Sequence, residues 1–346
     1  MSTLQDVARE AGVSSATVSR VLNNTGKVSA ATRRRVEEAI ARLGYRPSRV
    51  ARRLRVQRGR SHILGLMIPD IQNPFFSDVA RGVEDFAYDH DYAVILCSSD
   101  EDPRKQSFYL NIMRAESVDG VILPPIPGEQ DLLRELAERE GLPIVCLDRR
   151  ADDLALDTVV VDNRRGAFEA VDLLLRLGHR RIGFITGLPG LSTTRERFEG
   201  YLVAFEAHAL PVPHHLIREG DSRYESGREQ AEALLALPVP PTALFVGNNL
   251  MTLGALEALH RRRLPVPEAI SIIGFDDFPW ASSLNPPLTT VRQPGYAMGR
   301  RAAELLLRRI AQPGRPAERI ICEPELVPRA SCAPPPPGPG DSNLPL

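Results

Sequence analysis

Side chains able to bind hydroxyl groups follow several apolar runs in this sequence of 346 residues. The run ILGLMI is followed by Asn73, Phe75 and Phe76, and the run LPIVCL is followed by Asp148 and Arg149. Carboxylates, amides and guanidinium groups can chelate neighbouring hydroxyls, while phenyl rings cover the apolar face of a polyol. Together these residue types predict a binding site for a small molecule rich in hydroxyl groups.

Later apolar runs end in the same way. The candidates that follow them are Arg197, Asn248, Phe275, Asp276 and Gln293. Each candidate also has a purely structural interpretation, such as a surface turn for Asp148 and Arg149 or a helix cap for Asn248. The agreement of several strand ends favours the binding interpretation.

The elements that could position these side chains are apolar runs that alternate with helical patterns from Ile63 onward. The runs ILGLMI, YAVILCSS, DGVILP and LPIVCLD predict strands, and the rhythm restarts after Asp157 with TVVVDN, RIGFITG, TALFVGN and ISIIGFDD. This alternation predicts two doubly wound α/β subdomains with parallel sheets. Because open α/β sheets bind ligands beyond the carboxyl ends of their strands, the candidates are expected to meet in one cleft.

The first part of the sequence predicts a different chemistry, contact with DNA. The spacing of small apolar residues predicts a short helix, a turn at Gly12 and a second helix over residues 15–23. Two short helices joined by a tight turn form a helix-turn-helix, an all-α domain whose second helix enters the major groove. There Arg20 can donate two hydrogen bonds to a guanine, and the Ala16 methyl group can contact a thymine methyl group.

A third helix is predicted over residues 30–43, and a basic segment follows it at residues 45–60. That segment holds seven arginines around a narrow stripe of Val50, Ala51 and Leu54. Two interpretations stay open: a solvated basic linker, or a short helix that DNA orders and that pairs with its copy in a second subunit. In the second interpretation Leu54 would enter the minor groove, where apolar side chains unstack a base step.

The charge supports contact with DNA because it is divided unevenly along a chain whose net charge is −1. Residues 1–60 hold 14 Lys and Arg against 4 Asp and Glu, and the remaining residues hold 29 against 40. A basic head on an acidic body is typical of a nucleic-acid-binding domain that is joined to another domain.

Two stretches, TLQDVAREAGVSSATVSRVLN and VSAATRRRVEEAIARLGYRPSRVARRL, resemble the lactose/galactose repressor (LacI/GalR) family of bacterial transcription factors. The resemblance covers about residues 3–329 and implies a dimer that binds two half-sites of an operator, with one hinge helix per subunit. It implies base contacts for Ser15, Ala16 and Arg20 and a minor-groove contact for Leu54. The resemblance further implies DNA contact or positioning for Thr3, Ser14, Thr17, Ser19, Asn23, Lys27, Thr32, Tyr45, Ser48 and Ala51.

The body is similar to periplasmic sugar-binding proteins of the ribose-binding type, which implies that the candidates at the strand ends line an effector site. One position departs, because Ser222 stands where an aromatic residue is usual, so a stacking wall would have to come from Tyr224 or Trp280. Ser222 and Trp280 are therefore added to the predicted effector-binding residues. We expect a sugar or other polyol and keep open a purine or another metabolite.

The predicted organisation has five parts. They are a helix-turn-helix domain at 1–46, a hinge helix and linker at 47–60, an N-terminal subdomain at 61–160 and 292–320, a C-terminal subdomain at 161–291 and 321–330, and a disordered proline-rich tail at 331–346. The tail holds no leucine heptad, so a homodimer is expected rather than a tetramer. Helices predicted at residues 76–90 and 295–310 are candidate dimer surfaces.

Other classes of protein find little support in the sequence. It contains no nucleophile elbow, P-loop, zinc-binding spacing or dinucleotide-binding glycine motif, so we expect neither an enzyme nor a cofactor or metal. The four cysteines are far apart, and the sequence contains neither a membrane-spanning apolar run nor a secretory signal. We therefore expect a cytoplasmic, nucleoid-associated protein rather than a periplasmic transport receptor.

Overall fold

The computed structural model describes residues 2–22, 26–45 and 60–336. The chain forms two compact units, residues 1–61 and residues 62–346. The described part of the first unit is helical, and the second unit contains two α/β lobes. Within the described residues, no helix combines the length and apolarity that crossing a membrane requires.

Three helices form the described part of the first unit. They are α1 (Leu4–Glu10), α2 (Ser15–Leu22) and α3 (Ala30–Leu43). Val18 and Val36 are fully buried in their shared core. The Ser29 hydroxyl accepts a hydrogen bond from the Thr32 N–H at 3.2 Å and so begins α3, while Gly44 ends it with a left-handed φ of 58°. The predicted helix-turn-helix domain is confirmed.

The first lobe of the second unit contains a parallel sheet. Its strands are β1 (Ile63–Ile68), β2 (Ala93–Ser98), β3 (Gly120–Leu123), β4 (Ile144–Leu147), β5 (Asp157–Val161) and β11 (Arg319–Cys322). Its helices are α4 (Pro74–Asp89), α5 (Pro103–Ala115), α6 (Gln130–Arg134), continued by a π-helical turn (Glu135–Arg139), and α11 (Gly295–Ala311). The strand order is β11-β5-β4-β3-β1-β2, with every pair parallel. Every residue of β1 is buried, which explains why its sequence is apolar throughout rather than alternating.

The second lobe repeats this arrangement. Its strands are β6 (Ile182–Thr186), β7 (Ile217–Glu219), β8 (Ala243–Val246), β9 (Ser271–Phe275), β10 (Thr289–Arg292) and β12 (Glu325–Val327). Its helices are α7 (Asn163–Arg176), α8 (Ser192–Ala207), α9 (Tyr224–Leu235) and α10 (Asn249–Arg261), with 3₁₀ turns at His214–Leu216 and Ala281–Ser283. The order is β12-β10-β9-β8-β6-β7, and β12 runs antiparallel to β10. Two doubly wound α/β subdomains were predicted, and the fold class is confirmed.

Within residues 60–336 the chain passes between the lobes after β5, after β10 and after β11. These passages correct three predicted boundaries. Val161, Ile321 and Cys322 were assigned to the second lobe, but they belong to β5 and β11 of the first lobe, where Cys322 pairs with Val161. The parallel ladder of β11 with β5 decides this placement, and the sequence does not reveal that pairing. Arg292 was assigned to the first lobe, but it ends β10 of the second.

The prediction of disorder from residue 331 onward is wrong for the start of the tail. The Ser331 hydroxyl is buried, accepts a hydrogen bond from the Thr289 N–H at 2.8 Å and donates one to the Ile272 carbonyl at 2.7 Å. The Ala333 carbonyl lies 2.9 Å from a ring nitrogen of His179. These contacts hold residues 331–333 against β9 and β10, while residues 337–346 lie outside the described residues.

Helices α4 and α11 pack against each other through glycines. A Cβ atom on Gly299 would lie 2.1 Å from the carbonyl oxygen of Val79, and one on Gly82 would lie 2.1 Å from that of Tyr296. So close an approach of two backbones requires residues without side chains. The two helices considered as dimer surfaces therefore each bury one face against the other.

Candidate functional site

The exposed face of α2 carries the residues predicted to read DNA. Ser15, Ala16 and Arg20 are exposed, whereas Val18 and Val21 are buried in the core of the unit. A guanidinium group, a hydroxyl and a methyl group on one face of a short helix are the groups that base edges in a major groove can receive. The geometry of α2 therefore suits the predicted base contacts.

Hydrogen bonds within the first unit give two predicted DNA contacts a structural role. The Ser14 hydroxyl accepts from the Thr17 N–H at 3.2 Å and so caps α2. Thr3 forms a capping box with Asp6 at the start of α1, which accounts for the lowered pKa of Asp6. Both caps hold their helix ends in place, whether or not their hydroxyls also face a phosphate.

The remaining residues predicted to contact DNA differ in how far their side chains are exposed to solvent. Lys27 is exposed, Ser19 and Thr32 are half-buried, and Tyr45 is buried in the core, where its ring serves packing. Four others lie outside the described residues together with the predicted hinge helix: Asn23, Ser48, Ala51 and Leu54.

A cleft of about 850 Å³ lies between the two lobes at the carboxyl ends of their strands. The predicted effector-binding residues that line it are Asn73, Phe75, Phe76, Asp148, Arg149, Arg197, Ser222, Asn248, Asp276 and Gln293. Phe275 is fully buried behind this lining. Trp280 was expected to supply a stacking wall, but it is 46% exposed, packs on Phe278 and is absent from the lining. Tyr224, the other candidate wall, does line the cleft.

Asp148 and Arg149 face the cleft from the end of β4. Arg149 donates from both terminal nitrogens to Glu101, at 2.8 and 2.5 Å, and its Nε lies 3.4 Å from Asp148. The two parallel hydrogen bonds fix the plane of the guanidinium group. Burial raises the pKa of Asp148 to about 6, although Arg149 and Arg197 act in the opposite direction.

Arg197 on α8 faces the cleft from the second lobe. Its Nε donates to Oδ1 of Asn163 at 2.8 Å, and its Nη1 donates to the Gly247 carbonyl at 2.5 Å. Its guanidinium carbon lies 3.7 Å from the centre of the Phe275 ring, and its Nη2 lies 3.9 Å from Asp276. Phe275, predicted as an effector-binding residue, therefore supports Arg197 through a cation–π contact.

Two amides and a carboxylate complete the polar lining. Nε2 of Gln293 donates to Asp276 at 2.5 Å, while its buried Oε1 has no hydrogen-bond partner within residues 60–336. Burial raises the pKa of Asp276. Asn248 caps α10 by accepting from the Met251 N–H at 2.8 Å, and it donates to the Ser222 carbonyl at 2.7 Å. The helix-cap and cleft interpretations of Asn248 are thus compatible.

A buried hydrogen bond joins the lobes beside the cleft. Nδ2 of Asn249 donates to Oδ1 of Asn73 at 2.9 Å, and the same oxygen accepts from the Phe75 N–H at 3.0 Å. Asn73 therefore caps α4 and also ties that helix to the start of α10. Asn249 was missed from the sequence because nothing there indicates a partner 176 residues away.

Strained backbone is concentrated around this cleft. Its lining includes non-glycine residues with left-handed φ angles: Asp100 (53°), Glu101 (59°), Asp148 (65°), Ser222 (69°) and Asp276 (71°). Such conformations are costly without glycine, and they tend to persist at binding and catalytic sites. Residues with strained backbone therefore line the same cleft as the predicted binding side chains. They include Asp100 and Glu101, which were not predicted from the sequence.

Each of the two units contains a segment that matches a known protein family. Residues 3–48 match the family described as bacterial regulatory proteins, lacI family, and residues 171–332 match the periplasmic binding protein-like domain. The HTH-type transcriptional repressor CytR of Escherichia coli is 39% identical over 306 residues, which are 88% of this chain and 89% of that protein. The ribose operon repressor of Escherichia coli is 36% identical over 332 residues, 96% of this chain and 100% of that protein. The repressor PurR of Aliivibrio salmonicida is 36% identical over 331 residues, 96% of this chain and 99% of that protein.

Solved structures give the same result. The lac repressor dimer bound to operator and the anti-inducer ONPF superposes with a TM-score of 0.84 at 28% identity, covering 96% of this chain and 99% of that chain. The complex of the transcriptional regulator CelR with cellobiose superposes with a TM-score of 0.71 at 31% identity, covering 96% of this chain and 100% of that chain. Both superpositions therefore extend over both units of this chain rather than over one of them.

Proposed function

Because the chain belongs to the lacI family of bacterial regulatory proteins, we propose that it is a transcriptional repressor that binds a palindromic operator as a homodimer. A small molecule in the cleft between the lobes controls its affinity for operator DNA. The proposal of a ligand rests mainly on one observation. Asp148, Arg197 and Asp276 are buried and face one cleft from two lobes. Closure around a ligand changes the relative position of the lobes, and through it the pairing of the DNA-binding units.

The charge of the cleft favours an uncharged sugar or polyol over a phosphorylated one. Seven carboxylates line the cleft against three guanidinium groups. Arg149 is already engaged by Glu101, and Arg197 by Asn163 and Gly247. A phosphate with about two negative charges would enter a field that is negative overall, which costs Coulomb energy in a desolvated site. Hydroxyl groups, by contrast, can donate to the carboxylates and to the Gln293 amide oxygen.

The proposed homodimer is supported by apolar residues exposed on the first lobe. Leu96 on the edge strand β2 is 40% exposed and Ile71 is 58% exposed, and both line one surface hollow beside Ala80 of α4. An edge strand beside exposed apolar side chains is a surface that a second copy can cover. The dimer surface would then be β2 together with α4, one of the two helices predicted for it.

A purine or another metabolite is the second candidate for the ligand. Ser222 replaces an aromatic wall, and the cleft of about 850 Å³ has room for more than one sugar ring. A transport receptor is disfavoured because the helix-turn-helix unit would have no role in it. As a repressor, the protein would act in the cytoplasm on chromosomal DNA.

A thermal-shift screen tests the proposed ligand class. Neutral pentoses, hexoses, polyols, purines and nucleosides are compared with sugar phosphates, and at least one uncharged compound is expected to raise the melting temperature. Arg197→Met should abolish that shift, whereas Arg165→Met, which changes an exposed ion pair with Glu169, should preserve it. If only phosphorylated compounds bind, or if Arg197→Met binds normally, the proposed site chemistry is wrong.

The DNA part is tested separately with immobilised genomic fragments. Selected fragments should contain an inverted repeat, and Arg20→Ala should weaken binding to it by roughly 1–3 kcal/mol and relax specificity at one position per half-site. Binding that does not distinguish the repeat from random DNA would refute the operator proposal.

A further inference from the structure

Asn163 stands between two charged side chains of the second lobe, immediately after the chain has crossed from β5. Its Oδ1 accepts from Nε of Arg197 at 2.8 Å, and its Nδ2 donates to Glu196 at 3.1 Å and to the Val161 carbonyl at 3.3 Å. The residue is 1% exposed. A guanidinium group can only donate and a carboxylate can only accept, so this amide has one orientation that satisfies both.

Glu196 continues this chain of contacts to the other lobe. One of its carboxylate oxygens accepts from Asn163, and the other lies 3.0 Å from Nη1 of Arg150. Arg150 follows β4 in the first lobe, and its own N–H donates to the Ser192 hydroxyl at 3.3 Å. Both charged side chains are mostly buried, at 23% and 16% exposure, so solvent screens their attraction less than that of a surface pair.

Arg197 has other supports that do not involve the first lobe. The Gly247 carbonyl accepts from its Nη1, and Phe275 lies beneath its guanidinium group. Loss of the Asn163 contact would therefore reorient Arg197 about a retained anchor instead of releasing it. The guanidinium group is thus fixed at one end and adjustable at the other.

We propose that Arg150, Glu196 and Asn163 form a relay through which closure of the lobes sets the orientation of the Arg197 guanidinium group. Arg150 and Glu196 are positioning residues: they meet when the lobes approach, and Asn163 transmits their contact to the ligand-binding cleft. This inference rests on the proposed function in that Arg197 is taken to contact the ligand. In that case the relay couples ligand affinity to lobe closure.

A second pair across the same gap provides a matched control. Nη2 of Arg195 lies 3.1 Å from Asp152, and both side chains are more than half exposed, at 51% and 53%. Arg195 is two residues from Arg197 on α8. Its partner Asp152 also accepts from Nε of Arg150 at 2.9 Å, whereas the relay uses Nη1 of Arg150. Arg195→Gln therefore removes an ion pair between the lobes and leaves the Arg150–Glu196 and Glu196–Asn163 contacts in place.

The test follows the Arg197 Nε–H signal by NMR in the full-length protein with neither ligand nor DNA, with the signal assigned by its loss in Arg197→Lys. Arg150→Gln should shift this signal and speed its exchange with solvent by roughly 3- to 30-fold, the range expected for modest coupling energies. Arg195→Gln should leave it unchanged. In the double variant Arg150→Gln/Asn163→Ser the signal should match that of Asn163→Ser alone, since the relay is already broken.

An unchanged Arg197 signal in Arg150→Gln, or an equal change in Arg195→Gln, would overturn the relay. Should Asn163→Ser fail to fold, Glu196→Gln takes its place, because it keeps the volume and removes the charge that Arg150 meets. The experiment uses no ligand, so a failed ligand screen would refute the proposed function and leave the relay standing. A ligand bound with normal closure in Arg150→Gln would refute the relay alone.

Discussion

Replacing Asp148 by Asn should stabilise the protein at neutral pH while weakening ligand binding. Asp148 is 5% exposed, and burial raises its pKa from 3.8 to about 6. Its charged form is therefore less favourable in the folded than in the unfolded protein, where water solvates the carboxylate. A difference of about 2 pKa units corresponds to roughly 3 kcal/mol.

The pH dependence follows from the direction of this shift. Because the folded-state pKa of Asp148 is raised, the protonated acid favours folding, and its contribution is fully present below about pH 3.8. That contribution is lost as the pH rises through about 6. Asn resembles the protonated acid at every pH. The variant should therefore exceed the wild type by up to about 3 kcal/mol at high pH and by little at low pH.

Urea unfolding followed by circular dichroism, at about pH 4 and pH 7.5, measures the free energies of unfolding. At the higher pH we expect the free energy of unfolding of Asp148→Asn to exceed that of the wild type by an amount that corresponds to a rise in melting temperature of roughly 6 °C. Asp153→Asn, an exposed carboxylate in the same loop, is the control and should change neither value. A variant that is less stable at pH 7.5, or a difference that is the same at both pH values, would show that pairing with Arg149 outweighs burial.

Three further variants test other parts of the structure. Leu96→Glu should weaken dimerisation by about 2 kcal/mol or more, seen as monomers in sedimentation, because it places a charge on the exposed apolar surface of β2 and α4; an unchanged dimer would place the interface elsewhere. Gly299→Ala should lower thermal stability by about 1–3 kcal/mol, since its Cβ would lie 2.1 Å from the Val79 carbonyl, and Gly314→Ala, which meets nothing within 4 Å, is its control. Asp157→Asn should cost about 3–5 kcal/mol because its fully buried carboxylate accepts from two arginines and a backbone N–H; a loss below about 1 kcal/mol would show that water replaces these contacts.

The regular elements could be predicted because their signals are local. Helix α3 has the predicted bounds, since a serine cap, an apolar stripe and a terminal glycine all lie within its own sequence. Inner strands of both sheets, such as β1 and β6, are nearly continuous apolar runs, which is what burial on both faces requires. The cleft residues were found for a related reason, because in parallel sheets the ends of strands meet at one edge.

The errors concern contacts between distant parts of the chain. The composition of residues 331–346 indicates disorder, yet one hydroxyl of Ser331 satisfies two backbone groups of the sheet and holds the start of the tail. Trp280, like the site residues, comes soon after a strand. Its ring nevertheless packs against Phe278 and does not line the cleft. Glu101 and Asn163 were missed because their partners, Arg149 and Arg197, are 48 and 34 residues away.

The conformation of the cleft explains why its residues contradict local preference. Asp148, Ser222 and Asp276 stand beyond strand ends with left-handed φ angles of 65°, 69° and 71°, where glycine would fold more readily. A glycine there would relieve the backbone but remove the polar group, so the strain and the chemistry are inseparable. For Asp148 the cost of a buried charge is added at the same place. A ligand whose hydroxyls donate to these carboxylates offsets that cost, so the cleft should gain more stability on binding than its few contacts suggest.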